Sequence, residues 1–354
     1  MRTWRIVLIA ILLSWTGCRT TPQAEDSYSG PIFGFALEGL PITGKQIQSI
    51  EKDTGLRPEL VVFFLQWPAD PTETGFPAPS LDTIRNRGAL PCLTWEPMYY
   101  QNNREMIIPA DQILNGTYDA YLTAFAQEAK LWGDPFIIRF AHEMNTNRYH
   151  WGENRLDQYG PQSPATYRQM YRHVVDIFRK IGADNVLWAF SPNAESVPNS
   201  SYDATASWNR AGHYYPGNDY VDIIGIDGYN WGTTQTMAMN GWQSRWLSFA
   251  AIFGPMYKEM TSLAPDKPVL VFETASAEQG GRKDQWIEEA FATATAWNMK
   301  GIVWFQADKE VDWRINSSGT SYLLAALKLN STAGQLFNSI IHRKITTFSD
   351  KASQ

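Results

Sequence analysis

Two short stretches hold the residues best suited to chemistry. Residues 136–145 read FIIRFAHEMN, and residues 267–276 read KPVLVFETAS. Each is an apolar run that closes on a glutamate, Glu143 in the first and Glu273 in the second. A lone glutamate after a strand is more often a surface or salt-bridged residue. Two that face each other can cleave a glycosidic bond. At about 5–5.5 Å, one protonates the leaving oxygen while the other attacks the anomeric carbon, with retention. About 6.5–9.5 Å admits a water and gives inversion. Chemistry therefore depends on a fold that brings the two carboxyls to one place.

The elements that must do this recur along the chain. Apolar, β-branched or aromatic runs lie near 32–37, 60–66, 89–95, 136–141, 186–190, 221–227, 268–273 and 301–306. Segments with helical spacing separate most of them: 43–53, 80–87, 118–132, 163–182, 243–263 and 283–298. In the 163–182 segment, Tyr167, Met170, Tyr171, Val174, Val175, Phe178 and Ile181 make one apolar stripe. Ser163 suits its N-cap, Pro164 its first turn and Gly182 its end. Strand and helix in alternation imply parallel strands joined by crossovers. Eight units predict a single-domain α/β fold, the (β/α)8 TIM barrel. An open nucleotide-binding sheet is disfavoured, because no glycine-rich phosphate motif follows the first run.

In such a barrel the active site lies at the C-terminal ends of the strands. Alternation places Arg139, Ala141 and Glu143 on the inner face of the fourth strand, and Phe136, Ile138 and Phe140 against the helices. In the seventh, Val269, Val271 and Glu273 share the inner face, opposite Leu270 and Phe272. Strands four and seven lie across the mouth, so both glutamates lean toward its centre. Arg139, below Glu143, is a buried charge that needs a partner, and Asp227 is the candidate. Aromatics crowd the same rim: Trp67, Trp95, Tyr99, Tyr100, Tyr149, Trp151, Tyr229, Trp231 and Trp304. Such rings stack on the C–H faces of sugars, although any one of them is more often core packing.

Bulk properties narrow the partners. A chain of 354 residues with 44% hydrophobic and 19% charged residues is globular rather than disordered. Its net charge of −6 and lack of a Lys/Arg run argue against nucleic acid. There are two cysteines, Cys18 and Cys92, and no Cys/His cluster with metal-ligand spacing. HEMNT lacks the second histidine of a zinc HExxH helix, so neither metal nor organic cofactor is expected. Arg2, Arg5 and the apolar run 6–15 resemble an export signal, too short to span a bilayer. SWTGC then resembles a lipoprotein cleavage site. The expected organisation is a signal peptide at 1–17, Cys18 as first mature residue, a polar tether at 18–30 and the barrel at 31–345. The product would be an exported protein, secreted or held at the cell envelope, touching membrane only through a lipid anchor.

RFAHEMN, DIIGIDGYN, KPVLVFETAS and VWF together resemble glycoside hydrolase family 26, a retaining family of the 4/7 barrel superfamily. The resemblance runs from the first strand to the eighth. It implies Glu143 as acid/base and Glu273 as nucleophile, with Tyr229 bonded to the nucleophile. It implies His142 and Trp304 at the sugar next to the cleaved bond, with the His-Glu-x-Asn ending supplying Asn145. Trp151, Trp95, Glu96 and Asn193 are further candidate sugar contacts at strand ends. The implied activity is endo-hydrolysis of β-1,4-mannan or a related β-linked polysaccharide. Two sugar-contacting places depart from the mannanase pattern. HEMNT replaces HEMNG, and LTWEP lacks a histidine. Mixed-linkage β-glucan or an exopolysaccharide, cleaved or transglycosylated, thus stays open beside mannan. The reading from another class is a glycan-binding barrel without catalysis.

Overall fold

Eight parallel strands close on themselves in the computed structural model, which describes residues 31–315 apart from 150, 156 and 157. The export signal, Cys18, the tether and the end of the domain to 345 lie outside the described residues. The strands are β1 (Ile32–Ala36), β2 (Leu60–Gln66), β3 (Leu90–Glu96), β4 (Phe136–Phe140), β5 (Val186–Phe190), β6 (Ile223–Asn230), β7 (Val269–Ser276) and β8 (Gly301–Phe305). Each pairs with its sequence neighbours, and β8 pairs with β1, which closes the barrel. Helices α1 (Gly44–Thr54), α2 (Ala78–Asn86), α3 (Asp119–Trp132), α4 (Ser163–Ile181), α5 (Phe249–Leu263) and α6 (Lys283–Ala296) connect them.

Strands of a parallel barrel are covered on both faces and so read as continuous apolar runs. All five residues of β4 are buried. Outside it, Phe140 stacks on Trp67 at 5.7 Å, and Trp95 of β3 stacks on Phe125 of α3 at 4.4 Å. Burying each such side chain contributes about 1.5–3 kcal/mol. The helices stop where the sequence says they should. Thr43 and Gln46 form a reciprocal capping box before α1, and Gly182 ends α4 in a left-handed conformation at φ 78°.

Four details differ from the pattern. Ser163 is the first helical residue of α4 rather than its cap, and its hydroxyl donates to Glu153. Helix α5 begins at Phe249, capped by Ser248, because residues 243–247 belong to the preceding loop. The β5–β6 connection contains a 3-10 turn, Ala204–Asn209, and one helical turn, Ala211–Tyr214, instead of a full helix. A hairpin, Met98–Gln101 with Arg104–Ile107, follows β3 and stands beside the barrel mouth.

Strand β7 also breaks its own alternation. Val271 pairs with Ile302 and Thr274 with Trp304, so three steps of β7 face two of β8. The same slip separates the Ile226–Val271 pair from Asp227–Glu273. The extra residue is a bulge, which re-aims the side chains beside it. Phe272 consequently lies inside the barrel, with the Arg139 guanidinium 5.9 Å from its ring centroid, not against the helices as expected. Gly225 leaves the room for it. A Cβ there would stand 2.5 Å from the Phe272 ring and 2.3 Å from Ser191 Oγ.

Candidate active site

Strand β4 ends at Phe140, before Glu143 is reached. Ala141 and Glu143 take φ of 48° and 50°, a region that side-chain-bearing residues seldom occupy. Neighbours hold them there. Ala141 N–H donates to Trp95 C=O at 3.0 Å, and Glu143 N–H to Ser191 C=O at 2.7 Å. Trp151 Nε1 donates to His142 C=O at 2.6 Å, and Tyr167 to Ala141 C=O at 3.1 Å. Strain of about 1–3 kcal/mol per residue survives only where surroundings over-determine it. Glu143 therefore reaches the mouth by two left-handed residues, not by the simple alternation the sequence suggested.

Its carboxyl is half-buried and accepts from Asn193 Nδ2 at 2.9 Å. Burial, with the nearby Glu273 charge, pushes its pKa up to about 7, against the opposing pull of the Asn193 bond and Arg139. Glu273 sits in contrasting surroundings. Arg139 Nη2 donates to its Oε1, and the Tyr229 hydroxyl donates to its Oε2 at 2.6 Å. Both of its oxygens thus accept a hydrogen bond.

Arg139 has no exposed side-chain surface. Its Nε and Nη2 donate to Thr94 Oγ1 at 2.9 and 2.7 Å. Its Nη1 stands 2.9 Å from Asp227 Oδ1, an ion pair whose N–H is not aligned as a hydrogen bond. The expected Arg139–Asp227 pair is there, and the same guanidinium also grips Glu273. Ser191 donates to the other Asp227 oxygen at 2.9 Å. Burial drives the Asp227 pKa well above its usual range, with Arg139 opposing.

Above these groups opens a cleft of about 1110 Å³. Glu143, Glu273, Tyr229, Asn193 and Glu96 all line it. Glu96 accepts from Gln66 Nε2, and burial raises its pKa to about 7. Other expected contacts lie elsewhere. Asn145 is buried and clamps the β5 loop: its Nδ2 donates to Asn193 C=O at 2.9 Å and Ser196 at 3.0 Å, and its Oδ1 accepts from Asn193 N–H at 2.8 Å. Trp151 is a buried support, stacked at 5.1 Å under Tyr149, which faces the cleft instead. His142 is buried against Tyr149 and Phe64, and burial lowers its pKa well below the usual value. Trp95 points outward, bonded to Tyr121 of α3 at 3.2 Å, because odd and even residues of β3 face opposite sides. Trp304 likewise faces α6, near Trp286 and Lys283, and donates to Trp313 C=O at 2.8 Å.

Phe305 and Trp313 border the cleft, and Trp304 does not. The parity of β8 is the signal that could have found Phe305, since alternate residues of a strand share a face. Trp313 lies in a loop, where no periodicity points to it. Arg148 was also missed. It makes two 2.6 Å bonds to Glu105, tying the hairpin to the cleft wall, and lies 4.8 Å over Tyr149. Among the described residues no cluster of His, Cys, Asp and Glu is placed to hold a metal ion. No described helix is long and apolar enough to cross a membrane.

Residues 109–267, which hold β4 to β6 and their loops, match the sequence profile of Glycosyl hydrolase family 26. The chain belongs to this family. One relative, Endoglucanase H of Acetivibrio thermocellus, is 38% identical over 84% of this chain, which spans about 30% of that protein's length. The chain is 31% identical over 29% of its length to a mannan endo-1,4-beta-mannosidase of Bacillus subtilis, covering 25% of that protein. Among solved structures, a Bacillus subtilis mannanase superposes with a TM-score of 0.56 at 19% identity, over 83% of this chain and 85% of that one. A family 26 β-mannanase from Bacteroides ovatus gives 0.56 at 17%, over 85% and 89%. At such identities the structural likeness speaks for the shared barrel.

Proposed function

We propose that this protein is a retaining endo-β-glycanase that hydrolyses β-1,4-mannan or a related β-glucan by double displacement. One observation carries the reading. Two carboxyls share a cleft, one partly buried with its pKa raised to about 7, the other accepting from two donors. An acid must hold its proton near neutrality, whereas a nucleophile must offer an unprotonated oxygen.

Glu143 protonates the glycosidic oxygen as the bond to it breaks. Glu273 attacks the anomeric carbon through an oxocarbenium-like transition state and forms a glycosyl-enzyme. The aglycone leaves, and Glu143, now a carboxylate, takes a proton from the water that displaces Glu273. Arg139 and Tyr229 act through Glu273, holding both oxygens in place. Glu96 and Asn193, which line the cleft, would meet substrate hydroxyls. Tyr149 and Phe305 offer ring faces and edges to the sugar's C–H groups, and Trp313 backs Tyr229. Export through the N-terminal apolar run, with Cys18 lipidated, would bring the enzyme to polymers too large to enter a cell.

Mannan is favoured by the several mannosidases among its relatives. β-Glucan is favoured by the longer likeness to Endoglucanase H and by HEMNT and LTWEP at the strand ends. Reducing-sugar release from mannan, glucomannan, lichenan, curdlan and β-1,3-xylan separates the two. Release from none of them, with binding retained, would instead make the protein a glycan-binding barrel.

A further inference from the structure

The cleft continues past the carboxylates to an aromatic that the proposed chemistry does not use. Trp242 lies between β6 and α5, lines the cleft and is 43% exposed. Trp67, Trp95, Trp286, Trp304 and Trp313 are all fully buried, so this exposure is unusual for the chain. Leaving so much apolar surface in water is unfavourable.

The ring sits at the end of a series. Trp313 packs on Tyr229 at 5.0 Å, and Tyr229 holds Glu273. Trp231 meets Trp313 edge-on at 4.9 Å, and Trp242 meets Trp231 edge-on at 5.6 Å. Successive rings thus lead from the proposed nucleophile outward to solvent.

The loop that presents Trp242 is tied at its base. Gln235 N–H donates to Ser244 Oγ at 3.0 Å, and Ser244 N–H to Gln235 C=O at 3.1 Å. Leu247 N–H reaches Asn230 Oδ1 at 3.1 Å. A platform held in place beforehand loses less freedom when a ligand arrives. Asn199, Ser201 and Gln243 line the same cleft and offer partners for hydroxyls.

We propose that Trp242 is a stacking platform for a β-linked sugar unit distant from the cleavage point, a subsite that makes the enzyme favour long chains. The proposal rests on the glycan-hydrolase reading of this cleft. Met237 and Met239 nearby are exposed too, but neither lines the cleft, so the sugar is the occupant argued for.

The test is calorimetric binding of β-1,4-mannohexaose and a mixed-linkage β-glucan hexasaccharide to the full chain carrying Glu273→Ala, with and without Trp242→Ala. The expected result is a Kd raised about ten-fold or more by Trp242→Ala for the hexasaccharide that binds, with at least half the loss restored by Trp242→Phe. Equal affinity with and without Trp242, or no hexasaccharide bound by either protein, overturns the platform. Should the wild-type chain hydrolyse no glycan while Trp242→Ala still weakens binding, the platform stands and the hydrolase reading falls.

Discussion

The ends of β4 and β7 deliver the same functional group by different routes. At β4 the strand stops early, and two left-handed residues lift Glu143 to the rim beside a single amide donor. At β7 the strand continues through a bulge, and Glu273 stays in the ladder between a guanidinium and a phenol. The first carboxyl is poorly compensated for its burial and keeps its proton to about pH 7. The second has donors on both oxygens. Identical side chains thus acquire different chemistry from what stands within hydrogen-bond reach.

Removing either glutamate tests this difference most severely. Glu273→Ala should lower kcat by about four orders of magnitude or more. Azide should restore turnover with an inverted glycosyl azide, read by NMR. Glu143→Ala should cost about 10²–10⁴-fold on polymeric glycan. Azide should rescue it only on aryl glycosides with good leaving groups. The same rescue pattern in both variants would erase the contrast.

Arg139→Met attacks the β7 side from below. It leaves Asp227 and Glu273 buried without their cation, and should destabilise the fold by about 3–5 kcal/mol in urea denaturation. Tyr229→Phe removes one donor from Glu273 alone. A loss of about 10–100-fold in kcat is expected, with KM little changed.

The smallest effect sharpens the β4 side. The acid must be protonated, so kcat/KM should fall as pH rises through about 7. The Asn193 bond favours the ionised Glu143, so Asn193→Ala raises the pKa. The alkaline limb should then move upward by about half to one unit. A downward move would mean that Asn193 supports the protonated form.

What the sequence disclosed follows the same division. Strands and helix ends are local, and apolar runs and Gly182 mark them well. Glu143, Glu273, Tyr229, Glu96 and Asn193 are legible at the mouth because each ends a run. Trp95 and Trp304 mislead because a tryptophan at a strand end suits a sugar and a helix interface equally, and only register decides. The β7 bulge comes from pairing across strands, which no local pattern encodes. Asn145 and Trp151 owe their places to the loops of β4 and β5, whose contacts span many residues. Trp313 lies in a loop without periodicity, and its place depends on Tyr229 and Trp231 packing against it.

The most direct measurement is the anomeric configuration of the first product, followed by proton NMR from the start of hydrolysis of a β-linked oligosaccharide. Direct attack by Glu273 predicts that the β-anomer appears first and mutarotates later. An α-anomer appearing first would mean that water, not this carboxylate, attacks the sugar.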